Sequence, residues 1–337
     1  MKRSALPTLL LIALAGHTGT DANAAFESDE GALGFVREMT ENHGFEREVL
    51  LDALKRARHE PEVIRLITPP KSTGARSWKR YQARFLDDRR IDGGLRFWRE
   101  HHATLEAASA RFGVPPEIIV AIIGVETHYG SYTGNFETVS ALATLAFDYP
   151  PRAELFRKEL ENLFLLAREQ NRDPFEYSGS FAGALGYPQF LPSSIRNYAV
   201  DFDGNGRIDF DSDPIDAIGS VANYLAAHGW AAGDPVAVRI HLPDGIDSAG
   251  LIAAGIYPTL DADSVRNLGM IPLGGDLHTG KATLVDLVTP GERTEYWLGY
   301  QNFYAITRYN RSSFYAMSVY QLAQALRGGY GAPTAGR

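Results

Sequence analysis

The stretch Pro115-Pro-Glu-Ile-Ile-Val-Ala-Ile-Ile-Gly-Val-Glu126 is apolar on nearly every side, and after its opening turn its only formal charge is Glu126. Two prolines can begin a helix because a first-turn residue needs no N–H, and Gly130 offers a stop. A helix so uniformly apolar belongs in a core. Glu126 follows Ile122 and Ile123 by one turn and Ile119 by two, so it shares their face. Burial disfavours an ionised carboxylate, and the negative end of the helix dipole acts in the same direction, so both raise its pKa. That profile fits a general acid working near neutral pH. A helix-end Glu that reaches solvent or pairs with an Arg is the competing reading of this segment by itself.

Outward from this helix the pattern is mainly helical. Phe26 to about Val63 reads as helix broken at Gly44, and Thr68-Pro-Pro-Lys-Ser-Thr-Gly74 reads as an irregular connector. A second helical stretch runs from Trp78 through Phe97 and Leu105 to Phe112, with further helices over Arg152 to Gln170 and Pro214 to His228. After Trp230 the character changes. Pro235 to Leu242 alternates like a half-buried strand, and Leu260 to Leu277, Lys281 to Thr289 and Glu295 to Leu298 read as short strands and turns. Helical signal returns over Ser312 to Leu326, before a Gly-rich tail from Gly328. The fold class is therefore mainly α within α+β, with a small β-rich insertion.

The first residues stand apart. Lys2 and Arg3, the apolar run Leu9 to Ala15 and the small residues Ala22-Asn23-Ala24 read as a secretory signal peptide cut after Ala24. The apolar run is shorter than the ~20 residues a spanning helix needs. Export with no cysteine means that no disulfide or thiolate metal site supports the fold, and that no lipid-modified cysteine is present. A net charge of -8 argues against nucleic acid or anionic lipid as partner. The 16 Tyr and 17 Phe suit stacking on sugars, although most aromatics serve cores.

Four constellations could carry chemistry. Glu126-Thr-His-Tyr-Gly130 is the first. The second, Ser178 to Ser194, is a small-residue loop in which Ser180 and Gln189 offer neutral hydrogen bonds; a plain connector has the same composition. In the third, Asn302 to Tyr315, Tyr304, Tyr309 and Tyr315 present flat faces with polar tips and Asn310 a bidentate amide, and aromatic packing is the alternative. The fourth, Asp201-Phe-Asp203-Gly-Asn205-Gly-Arg207-Ile-Asp209, follows a calcium loop: oxygen ligands at positions 1, 3 and 5, Gly at 6, and a backbone carbonyl from Arg207 at 7. Ser212 stands where a bidentate Glu is usual, so Asp216 or Asp213 must close the site, unless the turn binds nothing.

Together these motifs resemble the membrane-bound lytic transglycosylase B family, also called soluble lytic transglycosylase 35-like, whose members cleave bacterial peptidoglycan. The resemblance runs from about Trp78 to Trp230 and from about Asn302 to Leu322. It is carried by Glu126 to Gly130, Gly183 to Ser194, the calcium-type loop, Ala217 to Tyr224 and Thr307 to Asn310, in that order. It implies a lysozyme-like catalytic core, with Glu126 as acid/base. It also implies glycan contacts at Tyr81, Ser180, Gln189, Tyr309, Asn310 and Tyr315, and a structural Ca2+ at Asp201, Asp203, Asn205, the Arg207 carbonyl and Asp216. Leu155 replaces an expected aromatic sugar contact, and the calcium loop is one residue longer before its Asp-Pro.

The expected organisation is a signal peptide over 1–24, a helical region over 25–77, the core over 78–230, the β-rich region over 231–300, the remainder of the core over 301–327 and a tail over 328–337. The resemblance implies a soluble periplasmic monomer acting on glycan strands, with other cell-wall enzymes as candidate partners and no cofactor in catalysis. Glu126 would protonate the MurNAc-GlcNAc oxygen, then take the proton of the muramoyl C6 hydroxyl to give a 1,6-anhydro product. The alternatives are a hydrolytic muramidase using a second carboxylate such as Asp148, spaced ~5 to 9 Å from the first, and a wall-binding protein without turnover.

Overall fold

A computed structural model describes residues 26–69 and 74–331. The expected signal peptide lies outside the described residues, as does most of the connector after Thr68. Two compact units divide at His59 and Glu60. In the first, α1 (Glu30–His43) starts on Asp29, whose carboxylate accepts from Ala32 N–H, and stops at Gly44, whose φ of 66° closes the last turn; α2 (Arg47–Arg56) packs on it. Phe35, Met39, Leu50 and Leu54 form its buried face.

The second unit begins with α3 (Pro61–Ile67), α4 (Trp78–Gln82), α5 (Asp88–Glu100) and α6 (His102–Phe112). The stretch from Trp78 to Phe112 is thus three helices, because Asp87 caps a fresh start and His101 breaks the line at α6. Next come α7 (Pro116–Thr127), β1 (Phe136–Glu137), α8 (Thr138–Asp148), α9 (Ala153–Glu169), β2 (Ser178–Gly179), α10 (Pro192–Tyr198) and α11 (Ile215–Ala227). The chain continues through β3 (Ala237–His241), α12 (Ser248–Ala253), α13 (Ala262–Asn267), β4 (Ile271–Pro272), β5 (Thr283–Leu287) and β6 (Glu295–Gly299), and ends with α14 (Gln301–Ile306) and α15 (Ser313–Tyr330).

As its composition requires, α7 is the central helix. Ile118 to Ile123 are at most 3% exposed, and α5, α6, α11 and α15 surround it. β1 and β2 form a two-stranded sheet, and the other four strands an antiparallel sheet ordered β4-β3-β6-β5, whose own core includes Ile240, Val265, Met270, Leu284, Leu298 and Tyr300.

Three expectations are corrected. Leu260 to Leu277 is not simply strand and turn, because Asp261 caps α13 through Ser264 N–H. The tail does not begin at Gly328: α15 continues to Tyr330, and a Cβ on Gly329 would lie 2.9 Å from Leu95, so a close approach there favours a glycine. Gly130 is not the first stop of α7 either. The helix closes at His128, whose φ is 51°, followed by Tyr129 at 60° and Gly130 at 84°. Among the described residues no single helix is long and apolar enough to cross a membrane.

Candidate active site

Glu126 sits half-buried in the last turn of α7. Desolvation raises its pKa to about 7, opposed by the Tyr315 hydroxyl, which donates to Oε1 at 2.5 Å. Burial also lifts the Tyr315 pKa far above its ordinary value, and the Glu126 charge adds to this, so the phenol stays a donor. Tyr315 belongs to α15, which packs along α7, so the bond links two helices of the core.

Three more tyrosines feel the Glu126 charge. Burial first and that charge among the further causes raise the pKa of Tyr81, Tyr309 and Tyr224, the last to about 12. Tyr81 on α4 meets Phe314 edge-on at 5.6 Å. Tyr309, between α14 and α15, lies 4.5 Å from the Tyr224 ring, and its buried hydroxyl has no hydrogen-bond partner among the described residues. Tyr224 donates to the Arg308 carbonyl at 2.8 Å. Asn310 is exposed beside Tyr309, and Leu155 is 40% exposed.

The loop after β2 is drawn to the same end of α7 by glycines. A Cβ on Gly134 would lie 2.1 Å from the Gly179 carbonyl, so backbone crosses backbone there, and β1 pairs with β2 just beyond. Gln189 adopts φ 50° and gives its amide N–H groups to Thr133 and Gly186 carbonyls at 2.9 and 3.0 Å, leaving its oxygen to accept. Ser180 Oγ accepts from Ala182 and Ala184 N–H at 3.3 and 3.1 Å, which leaves its proton to donate. Neither residue hydrogen-bonds Glu126.

Asp148 ends α8 in an exposed position. Glu159, 5% exposed, spends both oxygens on the N–H and hydroxyl of Ser193, at 3.0 and 2.7 Å.

The loop before α11 holds a second cluster. Carboxylate oxygens of Asp201, Asp203 and Asp216 lie within 4.8 Å of one another. Asp201 accepts from Gly204, Asn205 and Gly206 N–H, a tight turn made possible by φ of 75° and 88° at the two glycines. Asn205 gives its amide N–H to Asp203 and accepts from Arg207 N–H. Asp216, 2% exposed, receives the N–H groups of Phe202 and Asp209, and among the described residues no Lys or Arg pairs with it. Asp213 instead accepts from Ile215 N–H at 2.8 Å in the turn that leads into α11. Three convergent carboxylates, one of them buried without a counter-charge, form a hard oxygen donor set that fits a divalent cation.

Sequence reasoning passed over Tyr129 and Arg90. Tyr129 fills the space that side chains at Gly93, Gly94 and Gly124 would occupy and donates to the Arg90 carbonyl at 2.9 Å; Arg90 in turn gives its Nη1 proton to the Gly124 carbonyl at 2.5 Å. The signal was Gly93-Gly94 in one helix with Gly124 in another, a small-residue seam.

Residues 27–324 match the family described as Transglycosylase SLT domain. The chain is 41% identical over 328 residues to the membrane-bound lytic murein transglycosylase B of Escherichia coli K12, covering 92% of this chain and 86% of the relative. The structure of Escherichia coli Slt35 in complex with calcium superposes with a TM-score of 0.82 at 42% identity, covering 91% of this chain and 95% of that one. SltB3 of Pseudomonas aeruginosa, in complex with NAG-anhNAM-pentapeptide, gives 0.77 at 32%, covering 88% and 78%. The mainly α, lysozyme-like class read from the sequence agrees with these neighbours. With one model spanning nearly the whole described chain, the protein belongs to the transglycosylase SLT domain family.

Proposed function

We propose that this chain is a peptidoglycan lytic transglycosylase in which Glu126 is the only carboxyl group that reacts. The observation that carries this is a half-buried acid in the last turn of the central helix, with a pKa raised to about 7 and a hydrogen bond from a neutral tyrosine. The murein activity in the name of the Escherichia coli relative and the anhydro-sugar peptide held by the Pseudomonas protein support the same reading.

Because Tyr315 donates to Oε1, the Glu126 proton belongs on Oε2. Near neutral pH a substantial fraction of the enzyme carries it and can protonate the glycosidic oxygen. Positive charge developing at the muramoyl anomeric carbon is met by the substrate's own N-acetyl carbonyl, so no enzyme nucleophile is needed. Glu126, now ionised and stabilised by Tyr315, accepts the C6 hydroxyl proton as that oxygen closes the 1,6-anhydro ring. The internal hydroxyl outcompetes water through proximity, provided the ring is held. Tyr81, Tyr309 and Asn310, with the free oxygen of Gln189 and the Ser180 hydroxyl, are the groups we assign to holding it. A hydrolase with two carboxylates needs a partner ~5 to 9 Å away, and its product would carry reducing ends in place of anhydro ends.

The Asp201, Asp203, Asn205, Arg207 carbonyl and Asp216 group is assigned to Ca2+, which would neutralise three carboxylates and stabilise the loop without entering the reaction. The basic, apolar N-terminal stretch and murein as substrate are consistent with a periplasmic location.

The test is mass spectrometry of products from purified sacculi. Wild type is expected to release 1,6-anhydromuramoyl ends and Glu126→Gln none. Reducing ends alone from wild type, or equal release by the variant, would overturn the assignment.

A further inference from the structure

The end of the catalytic helix and the loop after β2 are joined through one hydroxyl. Thr127 is 1% exposed. Its Oγ1 accepts from Gly130 N–H at 3.0 Å, and its single proton is shared between the carbonyls of Tyr187 at 3.0 Å and Ile123 at 3.2 Å. Its own carbonyl accepts from Tyr132 N–H at 3.0 Å. Tyr187 completes the junction: its ring lies where a Gly130 side chain would be, 2.2 Å from an ideal Cβ, and its N–H donates to the Phe210 carbonyl at 3.0 Å.

The backbone between them is strained. His128 and Tyr129 hold φ of 51° and 60°, a left-handed conformation that residues with a Cβ rarely adopt. Such geometry persists only where its surroundings over-determine it, and it clusters at functional sites. Here it begins two residues after Glu126. The same loop carries Gln189, itself left-handed and tied to both Gly186 and Thr133.

We propose that Thr127 is a positioning residue, whose hydroxyl fixes the Glu126 carboxyl in register with the Gly186 to Gln189 loop across the site. The inference rests on the reading of Glu126 as the acid. Both sides of the site meet at this oxygen, so losing it changes the separation between proton donor and sugar while leaving the groups themselves intact. A misplacement of about 1 Å can cost on the order of a hundredfold in rate.

The experiment compares full-length wild type, Thr127→Val, Thr127→Ser and Glu126→Gln for kcat, KM, pH profile and melting temperature on a soluble muropeptide chain. Val keeps the shape and removes the hydroxyl; Ser keeps the hydroxyl. In Val, kcat is expected to fall by roughly ten- to a hundredfold with KM changed by less than about threefold. Loosening also admits water to Glu126, so the alkaline limb moves to lower pH. Ser is expected to restore kcat to within about threefold of wild type. A Val variant that loses melting temperature alone, or a Ser variant as impaired as Val, would overturn the role. Should Val not fold, Thr127→Cys, a poor donor of similar volume, replaces it, and an unchanged kcat there is the overturning result. Activity surviving in Glu126→Gln would instead sink the assignment of the acid, so the two failures are distinguishable.

Discussion

Replacing Tyr315 with Phe is expected to move the pH dependence of cleavage upward. Burial pushes the Glu126 pKa up and the Tyr315 bond at 2.5 Å holds it down, with a balance at about 7. A hydrogen bond to a charged group is worth about 1.5–3 kcal/mol, and one pKa unit corresponds to about 1.4 kcal/mol, so its loss raises the pKa by roughly one to two units. The neutral carboxyl also accepts that bond, which places the net change at about one unit. A general acid must be protonated to act, so the alkaline limb of the rate profile should lie about one unit higher in the variant. The plateau falls as well, because the ionised Glu126 of the second step has lost its donor.

A stability signature accompanies the shift. The folded pKa lies above the reference value of 4.5, so the folded state binds the proton more tightly. The resulting stability is full below about pH 4.5 and is lost as pH rises to about 7; in Tyr315→Phe the loss extends to about pH 8, so the gap in melting temperature widens above neutrality. Initial rates of muropeptide release and thermal melts, both taken from about pH 4 to about pH 10, measure the two effects. A folded variant whose alkaline limb is unmoved or shifted to lower pH would refute the reasoning.

Tyr309→Phe removes a buried hydroxyl that has no hydrogen-bond partner among the described residues, so its melting temperature should hold or rise, by up to about 1 kcal/mol in stability, while KM rises severalfold. A destabilised variant with unchanged KM would mean that the hydroxyl serves the fold and not the glycan. Calcium at a hundred times its dissociation constant should stabilise the chain by about 2.7 kcal/mol, and Asp216→Asn should abolish that response. A melting temperature indifferent to chelator and to added calcium would remove the ion from the structure.

Much of this architecture could be read in advance, for identifiable physical reasons. The helix from Pro116 to Thr127 declares itself because prolines start it and no polar face interrupts it. The Asp201 loop declares itself because its ligand spacing is local, although the choice of Asp216 over Asp213 depended on which carboxylate faces inward. By contrast, Thr138 to Asp148 is buried on nearly every side, so no amphipathic period marks it. The short helix over Pro192–Tyr198 takes its cap from Glu159, 34 residues away in sequence, beyond the reach of a local rule. Among the site residues, Glu126 and the tyrosines carry their chemistry in their side-chain type. Thr127 and Arg90 act through distant carbonyls, and nothing local in the sequence names those partners.

The run of left-handed residues after Glu126 also bears on motion. Helix ends ordinarily fray, since their last carbonyls bond only to water and open at little cost. In α7 the Gly124 carbonyl takes protons from both His128 and Arg90, the Ile123 carbonyl takes one from Tyr129, and Thr127 accepts from Gly130 and Tyr132. The final turn therefore leaves fewer carbonyls to water than an ordinary helix end. Glu126, one residue before Thr127, thus sits on a stretch of backbone whose carbonyls are tied down on both sides of it, which favours a constant position for its carboxyl.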